Sequence, residues 1–212
     1  MIQALILDLD GVLCDTAHFH YRAWKRLAES YGYALTHENN EALKGVSRVD
    51  SLKRILQWAQ TDLSPEQFEA DLVLKNNWYL EMVEQMSEAD RLPGVGAFVQ
   101  EAQRRQIPLA LGSASKNARL VLEKIQLSGA FQAIVDASQI LNGKPHPETF
   151  LTAAQLLGTA PEHCLVFEDS LAGIQAALSG GMQAIGIGHA SDLPGAKLHL
   201  NHLGEYDFAD FS

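Results

Sequence analysis

Ile6-Leu7-Asp8-Leu9-Asp10-Gly11-Val12-Leu13-Cys14-Asp15-Thr16 is the stretch on which the reading of the fold turns. An apolar run from Ala4 to Leu9 meets two aspartates spaced i, i+2, then a glycine, then Asp-Thr. Alternate side chains of a strand share a face. The spacing therefore predicts Asp8 and Asp10 together at the carboxyl end of a first strand, the edge where open α/β sheets take their ligands. Two carboxylates confined there repel each other unless a cation lies between them. Asp-x-Asp-Gly alone fits a polar turn with solvated acids equally well, so the rest of the chain has to decide.

Working outward, Asp15 or Thr16 is placed to cap a helix from about Ala17 to Ser30, with Phe19, Ala23, Trp24, Leu27 and Tyr31 along one apolar face. Further helices are predicted around Glu38 to Leu43, from Ser47 to about Ala59, and from Ser64-Pro65 to about Met86. Phe68, Leu72, Tyr79 and Met82 form the expected seam of the last. After Arg91-Leu92-Pro93-Gly94 the character changes. Helical stretches at about 95–105, 117–125, 147–157 and 171–179 alternate with strands Pro108–Gly112, Phe131–Asp136, Cys164–Phe167 and Gln183–Ile187. That alternation is the pattern of a parallel, Rossmann-like α/β sheet. The first strand belongs with the later ones. The expected organisation is a core of residues 1–15 and 92–212, interrupted by an α-helical cap at 16–91. The tail from His189 reads as loop, short strand and a weak final helix.

Bulk properties narrow the function. The chain has 212 residues, 16 Lys+Arg against 26 Asp+Glu and a net charge of −10, which argues against nucleic acid as a partner. No run approaches the roughly 18 apolar residues of a membrane span. The acidic, unbasic start is not expected to act as a signal peptide. Cys14 and Cys164, the two cysteines, fall at places where a disulfide is not expected, and neither suggests a nucleophile. A cytoplasmic protein with reduced thiols is the expectation.

Several polar groups follow strands. Ser113-Ala114-Ser115-Lys116-Asn117 opens a helix; it is a phosphate cradle or a plain capping loop. Lys144, between Gly143 and Pro145, is either aimed by a stiff loop or simply solvated. Glu168 and Asp169 follow an apolar strand; with Asp8 and Asp10 they would make an oxygen-rich pocket suited to a hard cation such as Mg²⁺. A helix cap accounts for Asp169 or Ser170, but not for four acids on one edge.

The order of these motifs resembles the haloacid dehalogenase-type phosphotransferase superfamily over nearly the whole chain. Within it, the closer resemblance is to the β-phosphoglucomutase family. It rests on Phe19-His20-Tyr21-Arg22-Ala23-Trp24, Leu43-Lys44-Gly45-Val46-Ser47-Arg48, Ser51-Leu52, Leu92-Pro93-Gly94, Ser113 to Asn117 and Glu168-Asp169-Ser170-Leu171-Ala172-Gly173-Ile174. Cys14 and His146 depart from the family's commoner residues, and the last 20 residues match weakly.

The resemblance implies an isomerase that interconverts β-glucose 1-phosphate and glucose 6-phosphate through glucose 1,6-bisphosphate. A sugar-phosphate phosphatase is the alternative. It further implies Asp8 as phosphorylated nucleophile, Asp10 as general acid and base, and Ser113 with Lys144 on the phosphoryl oxygens. Mg²⁺ would be held by Asp8, the Asp10 carbonyl and Asp169, with Glu168 assisting through water. Arg48 with Ser115, Lys116 and Asn117 would hold the non-reacting phosphate, with Lys44, Gly45, Val46, Ser51 and Ala114 lining the substrate. Thr16 and His20 would lie near the hinge, with Lys75 a further substrate contact. The partners expected are small sugar phosphates, and the chain is expected to act as a monomer.

Overall fold

The computed structural model describes residues 1–43 and 46–211. The chain divides into two units, Thr16–Met86 and Met1–Asp15 with Ser87–Ser212.

The larger unit is built on a six-stranded, wholly parallel sheet. Its strands are β1 (Ala4–Leu7), β2 (Leu109–Gly112), β3 (Ala133–Val135), β4 (Cys164–Glu168), β5 (Gln183–Ile187) and β6 (Leu198–Leu200), in the order β3-β2-β1-β4-β5-β6. From β1 the chain steps outward through β2 to β3, then returns to the other side of β1 for β4. The order thus reverses at β1/β4, which opens a crevice at the strands' carboxyl ends. Leu7 pairs with Leu111 on one side and Phe167 on the other, so both neighbours deliver their next residues to the edge where Asp8 emerges.

Helices cover both faces, as a sheet buried on both sides requires. Small side chains let α7 (Glu148–Leu157) and α8 (Leu171–Ser179) pack closely. Ala110, Ala133, Ala153, Ala154, Ala176, Ala177 and Ala184 are all in this layer with Ile6, Val166 and Phe150. On an aromatic layer, Phe98 of α5 (Val95–Arg104) meets Phe167 at 5.2 Å between ring centroids, and Tyr206 and Phe208 from the tail complete the cluster. The tail approaches α5 through glycines: a Cβ on Gly94 would stand 2.3 Å from the backbone of Gly204. The expected final helix is realised only as two short tight turns, Leu203–Glu205 and Phe208–Phe211. The remaining helix of the unit is α6 (Ala118–Lys124).

The helical unit contains α1 (Ala17–Ser30), α2 (His37–Glu41), α3 (Arg48–Ala59) and α4 (Pro65–Val83). It has its own apolar centre, formed by Trp24, Leu27, Ala28, Leu35, Leu43, Leu52, Ile55, Leu56 and Leu72. Ser47 and Ser64 cap α3 and α4 by accepting from the amides of Asp50 and Gln67, at 3.2 Å each. The seam of α4 departs from the sequence reading. Asp71, Lys75 and Tyr79 are buried beside Leu72 and Val83, whereas Phe68 and Met82 are only half-buried. Asp71 can be buried because Tyr31 and Gln67 both donate to its carboxylate.

Two other expectations change. β1 stops at Leu7, not Leu9, because the Leu9 carbonyl accepts from the amides of Leu13 and Cys14 (2.9 and 3.2 Å) and closes a turn. Asp8 and Asp10 are therefore loop residues. The second crossing falls at Met86/Ser87 rather than 91/92. Ser87 and Asp90 cap one another in a short turn, and Arg91 pairs with Cys14, so this segment belongs to the sheet unit. Both cysteines are free and buried. Among the described residues no helix is long and apolar enough to cross a membrane.

Candidate active site

At the β1/β4 crevice the structure brings together Asp8, Lys144, Glu168 and Asp169. The amide of Asp8 donates to the Phe167 carbonyl at 3.0 Å, which fixes Asp8 beside the last residue of β4. Lys144 arrives on the loop before α7, and its ammonium lies 4.6 Å from the centroid of the Phe150 ring. It donates to Asp8 Oδ1 at 2.5 Å and to Glu168 Oε2 at 2.6 Å, with all three side chains buried. The other oxygen of Glu168 accepts from the amides of Asp169 and Ser170 and from the Ser170 hydroxyl, at 3.1, 3.0 and 2.8 Å. Glu168 is thus held at both oxygens. Ser170 in turn caps α8, accepting from Gly173 N at 3.1 Å.

Two glycines make room for the acids. A Cβ on Gly11, which has φ +77°, would stand 2.0 Å from an Asp169 oxygen. A Cβ on Gly173 would stand 2.0 Å from the Glu168 carboxylate. A third, Gly112, accommodates the Phe150 ring, which a Cβ would meet at 2.8 Å.

Electrostatics set what the pocket can hold. Burial first, then the charge of Glu168, raise Asp8 to about 8; Lys144 offsets this only in part. Burial alone would lower Lys144, but Asp8 and Glu168 outweigh it, so the ammonium stays charged. One lysine facing three acids leaves an excess of negative charge. Asp8, Glu168 and Asp169 each offer a carboxylate oxygen, all within 4.8 Å of one another. Hard oxygen donors, surplus negative charge and room between them fit a divalent cation such as Mg²⁺.

Ser113 follows β2, is buried, and accepts from Ser115 N at 3.1 Å; the Ser115 hydroxyl accepts from Asn117 N at 3.2 Å. This loop is compact and its hydroxyls take part in it as acceptors, with Ala114 and Asn117 half-buried and Lys116 exposed. Asp10 is half-buried on the turn after Asp8. Burial and the neighbouring Asp10 and Asp8 charges push the Cys14 thiol far up, which removes it as a nucleophile.

The helical unit assembles a second polar cluster. Lys75 Nζ lies 2.7 Å from His20 Nδ1 and 4.5 Å from the Trp24 ring centroid. An ammonium has only donors, so Nδ1 accepts and the His20 proton resides on Nε2. Burial, with Lys75 and Arg48 nearby, lowers His20 well below the usual histidine range and keeps it neutral. Tyr79 stacks on His20 at 4.1 Å and shares a 3.1 Å hydrogen bond with Thr16. Thr16 is thus engaged by Tyr79, and no side-chain capping bond to α1 forms. Ser51 is buried on α3, Arg48 and Val46 are half-buried, and Lys44 and Gly45 lie outside the described residues. Tyr79 was read from sequence as seam packing alone; its position four residues after Lys75, on the same helix face, was the available signal.

A family model of haloacid dehalogenase-like hydrolases matches residues 2–181. The chain belongs to the haloacid dehalogenase-like hydrolase family. Among members of this family, the β-phosphoglucomutase of Bacillus subtilis is 38% identical over 206 residues, covering 96% of this chain and 91% of that protein. The crystal structure of a β-phosphoglucomutase from Clostridium difficile superimposes with a TM-score of 0.95 at 38% identity, over 100% of this chain and 96% of that one. The fructose-1-phosphate phosphatase YqaB of Escherichia coli is 33% identical over 183 residues, covering 86% and 95%. The haloacid dehalogenase-like fold implied by the order of motifs along the chain is the fold observed.

Proposed function

We propose that the chain is a β-phosphoglucomutase, converting β-glucose 1-phosphate to glucose 6-phosphate by way of glucose 1,6-bisphosphate. The observation that carries this reading is the buried Asp8–Lys144–Glu168 constellation, with half-buried Asp169 beside it, in a chain 38% identical, almost end to end, to a protein of that activity. A bound Mg²⁺ supplies charge neutralisation between an anionic nucleophile and an anionic phosphoryl group. Asp8, Asp169 and the Asp10 carbonyl would hold it. Glu168, already engaged at both oxygens, serves mainly to aim Lys144 and orient the 168–170 loop.

In the first transfer an Asp8 oxygen attacks phosphorus, the bond from phosphorus to the bisphosphate's sugar oxygen breaks, and Asp10 gives that oxygen a proton. In the second, Asp10 takes the proton from the accepting sugar hydroxyl as its oxygen attacks the phosphoryl group on Asp8, the bond from phosphorus to the Asp8 oxygen breaks, and the Asp8 carboxylate is released. Lys144 and Ser113 offer fixed donors to the phosphoryl oxygens in both directions. Arg48, Ser115, Lys116 and Asn117 would retain the phosphate that is not reacting, and neutral His20 presents its Nε2–H as a donor to the sugar. Thr16, Lys44, Gly45, Val46, Ser51, Lys75 and Ala114 complete the proposed substrate contacts. A monomer in the cytoplasm, with no nucleic-acid or membrane partner, is part of this proposal.

The 33% identity to a sugar-phosphate phosphatase makes hydrolysis the competing reading. Incubation with β-glucose 1-phosphate, Mg²⁺ and a trace of glucose 1,6-bisphosphate separates the two. Glucose 6-phosphate is expected to accumulate with little inorganic phosphate. Phosphate release equal to substrate loss would overturn the mutase reading.

A further inference from the structure

The turn that carries Asp10 is closed by Cys14. The Gly11 amide donates to the Cys14 carbonyl at 2.8 Å, and Asp10 and Cys14 form a backbone bridge. Cys14 is in turn paired antiparallel with Arg91, and Leu92 N donates to Leu13 O at 2.9 Å. The chain leaving the sheet unit and the chain re-entering it are therefore stitched together next to Asp10. Any residue at position 91 could make the backbone part of this stitch.

The Arg91 side chain adds something only an arginine can. Its Nε donates to the Ile125 carbonyl at 2.7 Å and Nη2 to the Gln126 carbonyl at 3.0 Å, while Nη1 pairs with Glu88 at 2.6 Å. Ile125 is the C-cap of α6, and Gln126, with φ +55°, is the next residue. The carbonyl at a helix C-cap lacks an intrahelical donor and lies at the negative end of the helix dipole, so a guanidinium on Ile125 is favoured twice, and the Gln126 carbonyl just beyond gives it a second acceptor. At its other end α6 begins at Asn117, the last residue of the Ser113 loop. One side chain thereby ties the Asp10 turn to the helix that bears the Ser113 loop.

We propose that Arg91 is a positioning residue that holds the Asp10 turn in fixed register with the Ser113 loop, through the Cys14 bridge on one side and the α6 C-terminus on the other. This rests on the reading that Asp10 transfers the proton, and it predicts a selective defect. Expelling a sugar alkoxide from phosphorus needs that proton. Expelling the carboxylate of acetyl phosphate does not, because a carboxylate is a stable leaving group.

The test compares Arg91→Met, which keeps the apolar stem, and Arg91→Lys with the unaltered protein. Sugar-phosphate turnover is measured beside the first-turnover release of acetate from acetyl phosphate. The ratio of the two rates cancels any loss of folded protein. It should fall about tenfold or more in Arg91→Met, with KM for the sugar phosphate within about twofold, and less in Arg91→Lys. A ratio unchanged within twofold, whatever happens to stability, would overturn the proposal. Hydrogen exchange on the unaltered protein is a second arm that needs no variant. The Gly11 and Leu92 amides should be as protected as those of β1; exchange at open-loop rates would also overturn it. Whether the unaltered protein makes glucose 6-phosphate or phosphate decides the functional reading separately, since either product requires protonation of the sugar oxygen.

Discussion

Asp8 shows most directly how its surroundings set its chemistry. Folded, it keeps its proton up to about pH 8; unfolded, it releases it near 3.8. Between those values the folded chain holds a proton that the unfolded chain has lost, so this group lowers stability as pH rises through the window. Asn at position 8 has no proton to lose. In the metal-free protein, the melting temperature of Asp8→Asn relative to the unaltered protein should therefore climb between pH 5 and pH 8. A gain of at least about 1 kcal/mol corresponds to about 2–4 °C in a chain of this size. Thermal melts in EDTA at the two pH values measure it, and a flat or falling difference would contradict the burial of an ionisable Asp8. Gly173 gives a steric counterpart. Its replacement by Ala places a Cβ against the Glu168 carboxylate, which must move off Lys144 and its three donors. Activity should drop about 100-fold and metal affinity about 10–100-fold, as for other losses of supporting contacts around a metal. Gly129→Ala, where a Cβ meets nothing within 4 Å, should leave both within twofold. Metal titration and turnover of the two variants settle this.

At the scale of elements, what could be read in the sequence was what local chemistry dictates. Ser47, Ser64 with Pro65, and the helix of small residues after Ser170 begin helices where their caps predict. Each of the four strands predicted after Arg91 formed, because each is an apolar run bounded by turn residues. Most of the misses share a cause: a long-range contact overrode a local pattern. Thr16 has the chemistry of an N-cap, but its hydroxyl is taken by Tyr79, 63 residues away. The apolar seam of α4 looked like Phe68, Leu72, Tyr79 and Met82, yet partners on other turns and helices allow Asp71 and Lys75 inside. Leu9 looks like strand, but its carbonyl is needed to close a turn. In the site itself, residue types and order were legible, whereas the double engagement of Glu168 by Lys144 and the Ser170 loop was not. Neither was the service of Gly11 and Gly173 to their carboxylates, since the first answers to a distant segment and the second to the way the 168–170 turn folds back on its helix. The tail fared worst: its aromatic contacts with Phe98 and Phe167 leave no periodic trace in so short a stretch.

For the whole molecule, the distribution of the acids between the two units is what matters. Asp8, Glu168 and Asp169 all belong to the sheet unit, which also contains both ends of the chain; the helical unit has its own apolar centre and contributes none of them. A ligand that binds only the folded form stabilises whatever unfolds together with its site, by about 2.7 kcal/mol at a hundredfold excess over Kd. If the helical unit opens independently of the sheet, that stabilisation stops at its border. Saturating Mg²⁺ should then slow amide exchange in β1, β4 and the first turn of α8 by about 10–100-fold. Amides of α1, α3 and α4 should change less than about twofold. Peptide-resolved hydrogen exchange with and without Mg²⁺ reads this out. Equal slowing in the α1–α4 amides would mean that the two units unfold as one. The stretch that leads into Arg91 is the informative boundary: Leu92 should follow the sheet, and Val83 the helices.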